Sequence, residues 1–158
     1  MLQRYAFKVP PYPNSRDFLA ILRAEAGPQH DALITDLFER ITLLDMKTTS
    51  ATTRPLPDGR HELTLQIEAH KRYADGKGQE TEAPLDEEVD VGAFSVEPGK
   101  TGFQANSVLA LSRHRIVSGQ QAVTLTLDKA PAWAGVDPYN KRIDRNSEDN
   151  LKAVSAQP

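Results

Sequence analysis

Four histidines are the side chains of this chain best suited to hold a catalytic metal ion: His30, His61, His70 and His114. Two histidines on a helix reach one zinc ion when they lie four residues apart, as in the HExxH motif. The single His-Glu pair, His61-Glu62, has Leu65 where the second histidine would stand. His61 and His70 lie an odd number of residues apart on one predicted strand, so they face opposite sides of it. The histidine spacing therefore predicts no metal site in this chain.

Motifs for covalent catalysis and for phosphate binding are also missing. Serine hydrolases place their nucleophile in a GxSxG turn between a strand and a helix, and the chain has neither that motif nor that order. The loop Pro98–Gly102 contains Gly-Lys-Thr, but the upstream glycine of a Walker A motif is absent and no helical pattern follows. The absence of cysteine excludes thiolate metal sites, disulfides and a cysteine nucleophile. We predict that the chain by itself is not an enzyme and has no cofactor-binding residue.

Two charged clusters have simpler interpretations than ion binding. An acidic series lacks the Asp-x-Asp-x-Asp-Gly order that folds carboxylates around calcium. We interpret it as a solvated strand and loop; its members are Glu80, Glu82, Asp86, Glu87, Glu88 and Asp90. The basic residues Arg113, His114 and Arg115 lie in a predicted strand, and they fit a protected strand edge as well as a binding patch.

The segment near the C-terminus is rich in side chains that make directional contacts. Trp and Tyr are frequent interface anchors, so the segment is a candidate docking surface. The interpretation that we favour is an irregular segment that closes the fold, in which Asp137 and Asn140 bond the backbone in turns. The alternative is a domain-docking site formed by Trp133, Asp137, Tyr139, Asn140, Asp144 and Arg145.

The composition is that of an ordinary globular protein. The 158 residues suffice for one domain with its own core, since domains commonly hold about 100–150 residues. Apolar residues make up 39% and charged residues 26%, and a net charge of −3 without a basic cluster argues against nucleic acid as a partner. No apolar run reaches the roughly 18 residues of a membrane-spanning helix, and no signal peptide is evident. We expect no direct membrane insertion by this chain.

Helical periodicity is confined to the N-terminal part. The segment Tyr5–Tyr12 combines aromatics with prolines, which favours an extended arm. Asn14 or Ser15 offers an N-cap for a first helix, which Gly27 ends. Pro28 suits the start of a second helix, whose apolar stripe comprises Leu33, Ile34, Leu37, Phe38 and Ile41. Both helices therefore have an apolar face to cover.

From Thr42 onward, apolar and polar residues alternate, which predicts strands. The clearest strand places four residues on one face: Leu63, Leu65, Ile67 and Ala69. A phase shift at Gly92 fits a β-bulge. Val108–Val117 and Gln121–Leu127 are expected to form a last pair of strands, joined at Ser118-Gly119.

Five or more antiparallel strands at this spacing predict a mainly β fold. We expect an antiparallel immunoglobulin-like β-sandwich preceded by an N-terminal helical pair. Residues 1–41 would form the arm and two helices, residues 42–128 the β-sandwich, and residues 129–158 an irregular C-terminal segment and tail.

Several strings of residues resemble one known family. The chain resembles the extreme C-terminus of large bacterial membrane proteins that join an ABC-2-type permease region to an aminopeptidase-N-like zinc metallopeptidase. The strings near the C-terminus are Ala134–Asn140, Ile143–Asn146 and Asp149-Asn150. The upstream strings are Pro10–Ser15, Leu33–Leu43, Tyr73–Gly76 and Gly92–Phe94.

The resemblance implies a non-catalytic C-terminal module that packs against the peptidase domain of its parent. The HExxH helix and its zinc ion would lie upstream, outside this sequence, so no catalytic residue carries over to it. The parent's peptidase domain would be the partner, at the periplasmic or extracytoplasmic face of the inner membrane. The alternative from another class is a freestanding β-sandwich module that binds a peptide or a carbohydrate.

Overall fold

The computed structural model describes residues 12–157, which begin with a helical pair. Helix α1 (Ser15–Ala26) starts at Asn14, whose side-chain oxygen accepts two backbone N–H groups of the first turn at 2.8 and 3.3 Å. Asp17 accepts the Asn14 N–H at 2.9 Å, which completes a capping box. Gly27 follows the helix with a φ of 83°, a conformation that glycine adopts without strain.

A short 3-10 turn at Pro28–His30 leads into helix α2 (Asp31–Phe38). The two predicted helices and the break at Gly27 are thus confirmed. The second α-helix begins at Asp31 rather than Pro28 and ends at Phe38, so Ile41 of its predicted apolar stripe belongs to a strand. The predicted arm Tyr5–Tyr12 lies, except for Tyr12, outside the described residues. Within residues 12–157, neither helix is long and apolar enough to cross a membrane.

The helices are followed by strands of very different lengths. In chain order the described strands are β1 (Ile41–Pro55), β2 (His61–Ala74), β3 (Glu80–Ala83), β4 (Asp86–Phe94), β5 (Val108–Val117), β6 (Gly119–Leu127), β7 (Trp133–Val136), β8 (Leu151–Ala153) and β9 (Ser155–Ala156). They form one sheet of five strands and one of four.

Strand β2 is the centre of the first sheet. One edge of β2 pairs with β1 in an antiparallel hairpin, and the other edge pairs with β6 along His61–Ala69 and with β3 along Lys71–Ala74. β9 adds to the outer edge of β1 as a parallel strand at Thr52 and Thr53. The second sheet is antiparallel and has the order β5-β4-β7-β8.

Apolar side chains from both sheets form one core cluster. The predicted apolar face of β2, from Leu63 to Ala69, is at most 1% exposed. The second sheet contributes Val91 of β4 and Val136 of β7, both 0% exposed. Each such aliphatic side chain stabilises the fold by about 1.5–3 kcal/mol when it leaves water. The structure confirms a mainly β chain of two sheets preceded by two helices.

The irregularity predicted at Gly92 occurs close to that position. The register of β4 against β5 shifts between Ala93 and Phe94. The ring of Phe94 lies over Gly92, where an added Cβ would come within 2.5 Å of its Cζ atom. Gly92 thus makes room for a buried aromatic ring. Ala93 pairs with Ala110 and Phe94 with Val108, so the extra residue, Leu109, lies on β5, and the predicted bulge on β4 itself is wrong.

Strands β5 and β6 do not pair with each other, so the predicted last pair of strands is wrong. Their short connection at Ser118-Gly119 exists, but β5 pairs with β4 in the second sheet and β6 pairs with β2 in the first. Leu85 holds this connection, because its N–H donates to the Ser118 hydroxyl at 2.8 Å and its carbonyl accepts the Ser118 N–H at 3.2 Å. Alternation identifies a strand without identifying its neighbour.

The segment 129–158, which we expected to be irregular, contains three strands. β7, β8 and β9 have four, three and two residues, which are too few for alternation to be recognised. Two of them complete the second sheet and one completes the first. We refer to residues 129–157 as the C-terminal segment.

Candidate functional site

Two of the six predicted docking residues shape a tight turn after β7. Asp137 is 1% exposed with a φ of 40°, and its carboxylate accepts the N–H groups of Lys141 at 3.0 Å and Arg142 at 2.9 Å. Asn140 has a φ of 51°, which asparagine tolerates better than most residues, and its N–H donates to the Asp137 carbonyl at 2.9 Å. Both residues serve the backbone of their own turn, as the favoured interpretation predicts.

The two aromatic docking residues lie beside Phe94 of β4. Trp133 is the first residue of β7 and pairs with Phe94 across the ladder. The Tyr139 ring meets the Phe94 ring nearly at right angles, with 6.0 Å between the centroids. Tyr139 remains 39% exposed, so it covers part of the core and still offers a surface to a partner.

Asp144 and Arg145 attach the C-terminal segment to the first sheet. The Asp144 carboxylate accepts the Met46 N–H at 3.3 Å. The Arg145 N–H donates to the Leu44 carbonyl at 2.9 Å, and the Arg145 guanidinium bonds to Glu80. These contacts join β1, the first strand, to the C-terminal segment, so they close the fold.

The structure therefore does not gather the six residues into one site, although it brings two of them together. Trp133 and Asn140 line a recess of about 400 Å³ beside the loop Glu97–Lys100. This volume is at the small end of the range of ligand pockets, about 300–1,000 Å³. The docking role of the six residues stays a prediction.

The role of Asp144 in closing the fold can be tested through the pH dependence of stability. Burial raises the pKa of its carboxyl above the ordinary value, against the opposing effect of hydrogen bonds from Asn146 and Met46. A carboxyl with a raised pKa makes the fold less stable wherever it is ionised, and this cost vanishes below about pH 3.9, where the unfolded chain is protonated too. We expect Asp144→Asn, which keeps an oxygen acceptor, to raise the free energy of unfolding at neutral pH but not near pH ~3.

Urea unfolding of the two proteins at both pH values measures this difference. Asp58→Asn is the matched control for loss of an exposed carboxylate, because Asp58 lies in the turn between β1 and β2. A variant Asp144→Asn that is less stable than the native chain at neutral pH would show that the charge itself is needed.

A larger cleft lies between α2, the start of β4 and the turn after Asp137. Its volume is about 1160 Å³, and its walls carry charges of both signs. A set of buried and partly buried polar side chains, which we call the ion cluster, lies along this cleft; its members are Asp36, Lys71, Tyr73, Glu87 and Arg142. The cleft is larger than the recess beside Trp133.

The ion cluster is centred on Lys71. Its ammonium donates to Asp36 at 2.8 Å and to Glu87 at 3.4 Å, and the side chains of Lys71 and Asp36 are each 8% exposed. The Tyr73 hydroxyl donates to the second Asp36 oxygen at 2.8 Å, and Arg142 lies 3.3 Å from Glu87. The ion cluster thus links α2, β2, β4 and the C-terminal segment.

The electrostatics of the ion cluster disfavour catalysis by Lys71. Burial lowers the pKa of its ammonium, but the hydrogen bond and charge of Asp36, with the charge of Glu87, outweigh burial and raise the pKa above its ordinary value. Lys71 therefore keeps its proton at neutral pH and has no free electron pair for nucleophilic attack. Asp90 on the same cleft is paired with Lys141 at 2.6 Å. The cleft holds satisfied charges, which fits a structural role.

The sequence contains a signal for the ion cluster that our sequence analysis missed. Lys71 continues the period-two face that runs from Leu63 to Ala69, so it had to be buried. Lysine is almost never buried without a carboxylate partner. Asp36 stands beside the apolar residues Ile34 and Leu37 of α2, and it is the complementary signal.

The acidic series is only partly solvated, which corrects our interpretation of it. The Glu87 side chain is 15% exposed, because Lys71 and Arg142 draw it into the cleft. The exposed members Glu82 and Asp86 are paired with basic side chains. Glu82 also bonds to His70 at 3.0 Å, and this bond raises the pKa of the imidazole.

Neither the described residues nor comparison with other proteins identifies a catalytic function. In the part of the chain that the structure describes, no group of three or more His, Cys, Asp or Glu residues is arranged to hold a metal ion. The chain matches no protein-family model, no curated protein and no solved structure.

Proposed function

We propose that this chain is a non-catalytic C-terminal module of a larger, membrane-anchored aminopeptidase-like protein. Its two sheets form an immunoglobulin-like β-sandwich that packs against and supports the zinc peptidase domain of that protein. The zinc ion belongs to the peptidase domain, and the module lies at the periplasmic or extracytoplasmic face of the inner membrane. The support is the sequence resemblance, together with one structural feature, an exposed apolar surface on the helical pair.

This surface, which we call the helical patch, consists of large apolar side chains on α1, α2 and the start of β1. They are Phe18, Leu37, Phe38 and Ile41, which are 38%, 55%, 51% and 50% exposed. The Phe18 and Phe38 rings touch edge-on, with 5.9 Å between their centroids, so the patch is continuous across both helices. Exposed apolar surfaces that are continuous in this way mark interaction sites.

The helical pair has little apolar contact of its own with the sheets. None of the residues of α1 is buried, and in α2 only Ile34 and Asp36 are. A helix of the length of α1 is marginal in water unless an amphipathic face packs against something. Polar contacts orient the pair instead, including the bond from the Thr42 hydroxyl to the Asp36 carbonyl at 2.9 Å. The helical patch is therefore available to a partner domain.

Hydrogen exchange tests whether the helical patch is the docking face. In the isolated chain we expect the amides of α1 and α2 to exchange faster than those of β2, because few buried apolar contacts protect them. In the longer protein with the peptidase domain, exchange in both helices should slow by about tenfold or more, because docking adds protection. The double variant Leu37→Ser/Phe38→Ser should remove this slowing.

The matched control is Leu111→Ser, since Leu111 is 41% exposed on β5, away from the helices. Protection of both helices in the isolated chain equal to that of β2 would contradict an exposed docking face. Zinc-dependent hydrolysis of aminoacyl-arylamides by the isolated chain would overturn the non-catalytic assignment. An HExxH helix and membrane-spanning runs in the coding sequence upstream of Met1 would support the parent that we propose.

The recess beside Trp133 favours a second candidate function, a freestanding module that binds a peptide or a carbohydrate. Trp133 is the only tryptophan of the chain, and it lines this recess with Asn140. An aromatic ring beside an amide suits sugars and peptides, which present both apolar and hydrogen-bonding surfaces. Titration of Trp133 fluorescence with oligosaccharides and peptides distinguishes the two functions, because the docking module predicts no change.

A further inference from the structure

The outer edge of β6 has no neighbour within residues 12–157. β6 pairs with β2 on one side through nine consecutive residue pairs, from Gly119 to Leu127, without a register shift. The described strands provide no partner for its other side. Alternate N–H and C=O groups along this edge therefore point away from the sheet, ready to bond another strand.

β6 also lacks the features that normally keep an edge strand from pairing. Its sequence from Gly119 to Leu127 contains no charged residue and no proline, and its pairing with β2 has no bulge. Two other edge strands carry such features: β3 has Glu80 and Glu82, and β5 has Arg113 and Arg115. β6 is the unprotected long edge among the described strands.

The edge of β5 is further closed by a side chain of β6. The Gln121 side chain accepts the Val117 N–H at 2.8 Å and donates to the Arg115 carbonyl at 3.1 Å. These bonds occupy two backbone groups of β5, so an added strand cannot bond to β5 at that end. No comparable side chain occupies the edge of β6 in the described residues.

We propose that the β6 edge pairs antiparallel with β6 of a second copy of this chain. In a two-fold antiparallel pair, every residue faces a residue of the same strand, so a strand without charges has no like-charge repulsion in any register. The symmetry axis lies perpendicular to the sheet, and it places the buried Val123 and Leu127 of both copies on the same face. The exposed Thr124 and Thr126 meet on the other face, where Thr–Thr pairs are favourable.

The interface is small, so the dimer is expected to be weak. A pairing of two nine-residue strands lies below the roughly 1,200 Å² of a stable interface. The inference is independent of the proposed function, because β6 belongs to the first sheet and carries none of the residues of the helical patch. A docked module can therefore still dimerise through β6.

Sedimentation equilibrium of the full chain, from about 10 µM to about 1 mM, tests this proposal. The native chain should shift from monomer to dimer across this range. Thr124→Lys should weaken association by about tenfold or more, because it adds an ammonium group to each of the two paired strands near the middle of the interface. Mixing Thr124→Lys with Thr124→Glu should restore dimers, which a merely misfolded variant would not do.

Ser112→Lys is the matched control, because it adds the same charge to the exposed edge strand β5 and should leave association unchanged. A native chain that stays monomeric throughout the range would overturn the proposal. Dissociation by Ser112→Lys but not by Thr124→Lys would also overturn it, since it would place the interface on β5.

Discussion

Replacing Gly135 with alanine is expected to destabilise the fold by about 4 kcal/mol or more, the range reached only when a buried site is disrupted. An added Cβ at Gly135 would lie 1.9 Å from the Asn150 carbonyl oxygen and 2.9 Å from the Leu151 Cα. These are backbone atoms of the adjacent strand β8 and of the residue before it, so no side-chain rotation relieves the overlap. The Asn150 carbonyl also accepts the Thr48 hydroxyl at 2.7 Å and the Val136 N–H at 3.1 Å, and a shift would break both bonds.

Urea unfolding followed by circular dichroism measures the loss in Gly135→Ala. The control is Gly59→Ala, because a Cβ at Gly59 meets no atom within 4 Å, although its φ is 85°. That variant should lose only about 1–2 kcal/mol, the cost of a left-handed conformation for alanine. Equal losses in the two variants would show that β7 and β8 pack less closely than the structure indicates.

Replacing Lys71 with alanine is expected to lower the free energy of unfolding by about 3–5 kcal/mol, because it leaves the buried Asp36 carboxylate without its cation. Asp36 would lose a bond of 2.8 Å, while Glu87 would keep Arg142 at 3.3 Å. The double variant Lys71→Met/Asp36→Leu should recover most of the loss, since it removes both charges and refills the volume. Unfolding in urea at neutral pH compares the three proteins.

The pH dependence of this effect has a definite sign. Because the pKa of Lys71 is raised in the fold, its contribution to stability is fully present below about pH 10.4, the pKa of an unfolded lysine, and is lost as the pH rises through the folded value. The difference between the native chain and Lys71→Ala should therefore persist from neutral pH up to about pH 10.4 and shrink in stronger alkali. A difference that disappears near neutral pH would contradict the ion cluster.

Much of the fold follows from local sequence patterns. Asn14 and Gly27 mark the limits of α1, and the alternation from Leu63 to Ala69 identifies the buried face of β2. Each of these patterns lies within one element, where period and capping chemistry act directly. The mainly β class and the helical pair were predictable for this reason.

The features that the sequence left undetermined all join distant parts of the chain. Gly119 turns the chain from one sheet to the other, but the residues around it do not indicate which strand β6 pairs with. Lys71 and Asp36 lie 35 residues apart. The pattern of β2 indicates that Lys71 needs a carboxylate partner, but it does not indicate which carboxylate that is. The candidate site was less predictable than the fold, because the docking residues of the C-terminal segment act mainly through turns and ladders whose partners lie elsewhere.

The late position of β7, β8 and β9 in the chain has a consequence for synthesis on the ribosome. Both sheets need strands from this segment, and the Thr48–Asn150 bond joins residues 102 positions apart. Contacts of such separation slow folding, since a long loop must close before they form. Until Ser155 and Ala156 emerge, Thr52 and Thr53 at the outer edge of β1 have no β9 to pair with. The nascent chain therefore passes through a period in which this edge can join another nascent chain, and chaperone binding during that period would protect it.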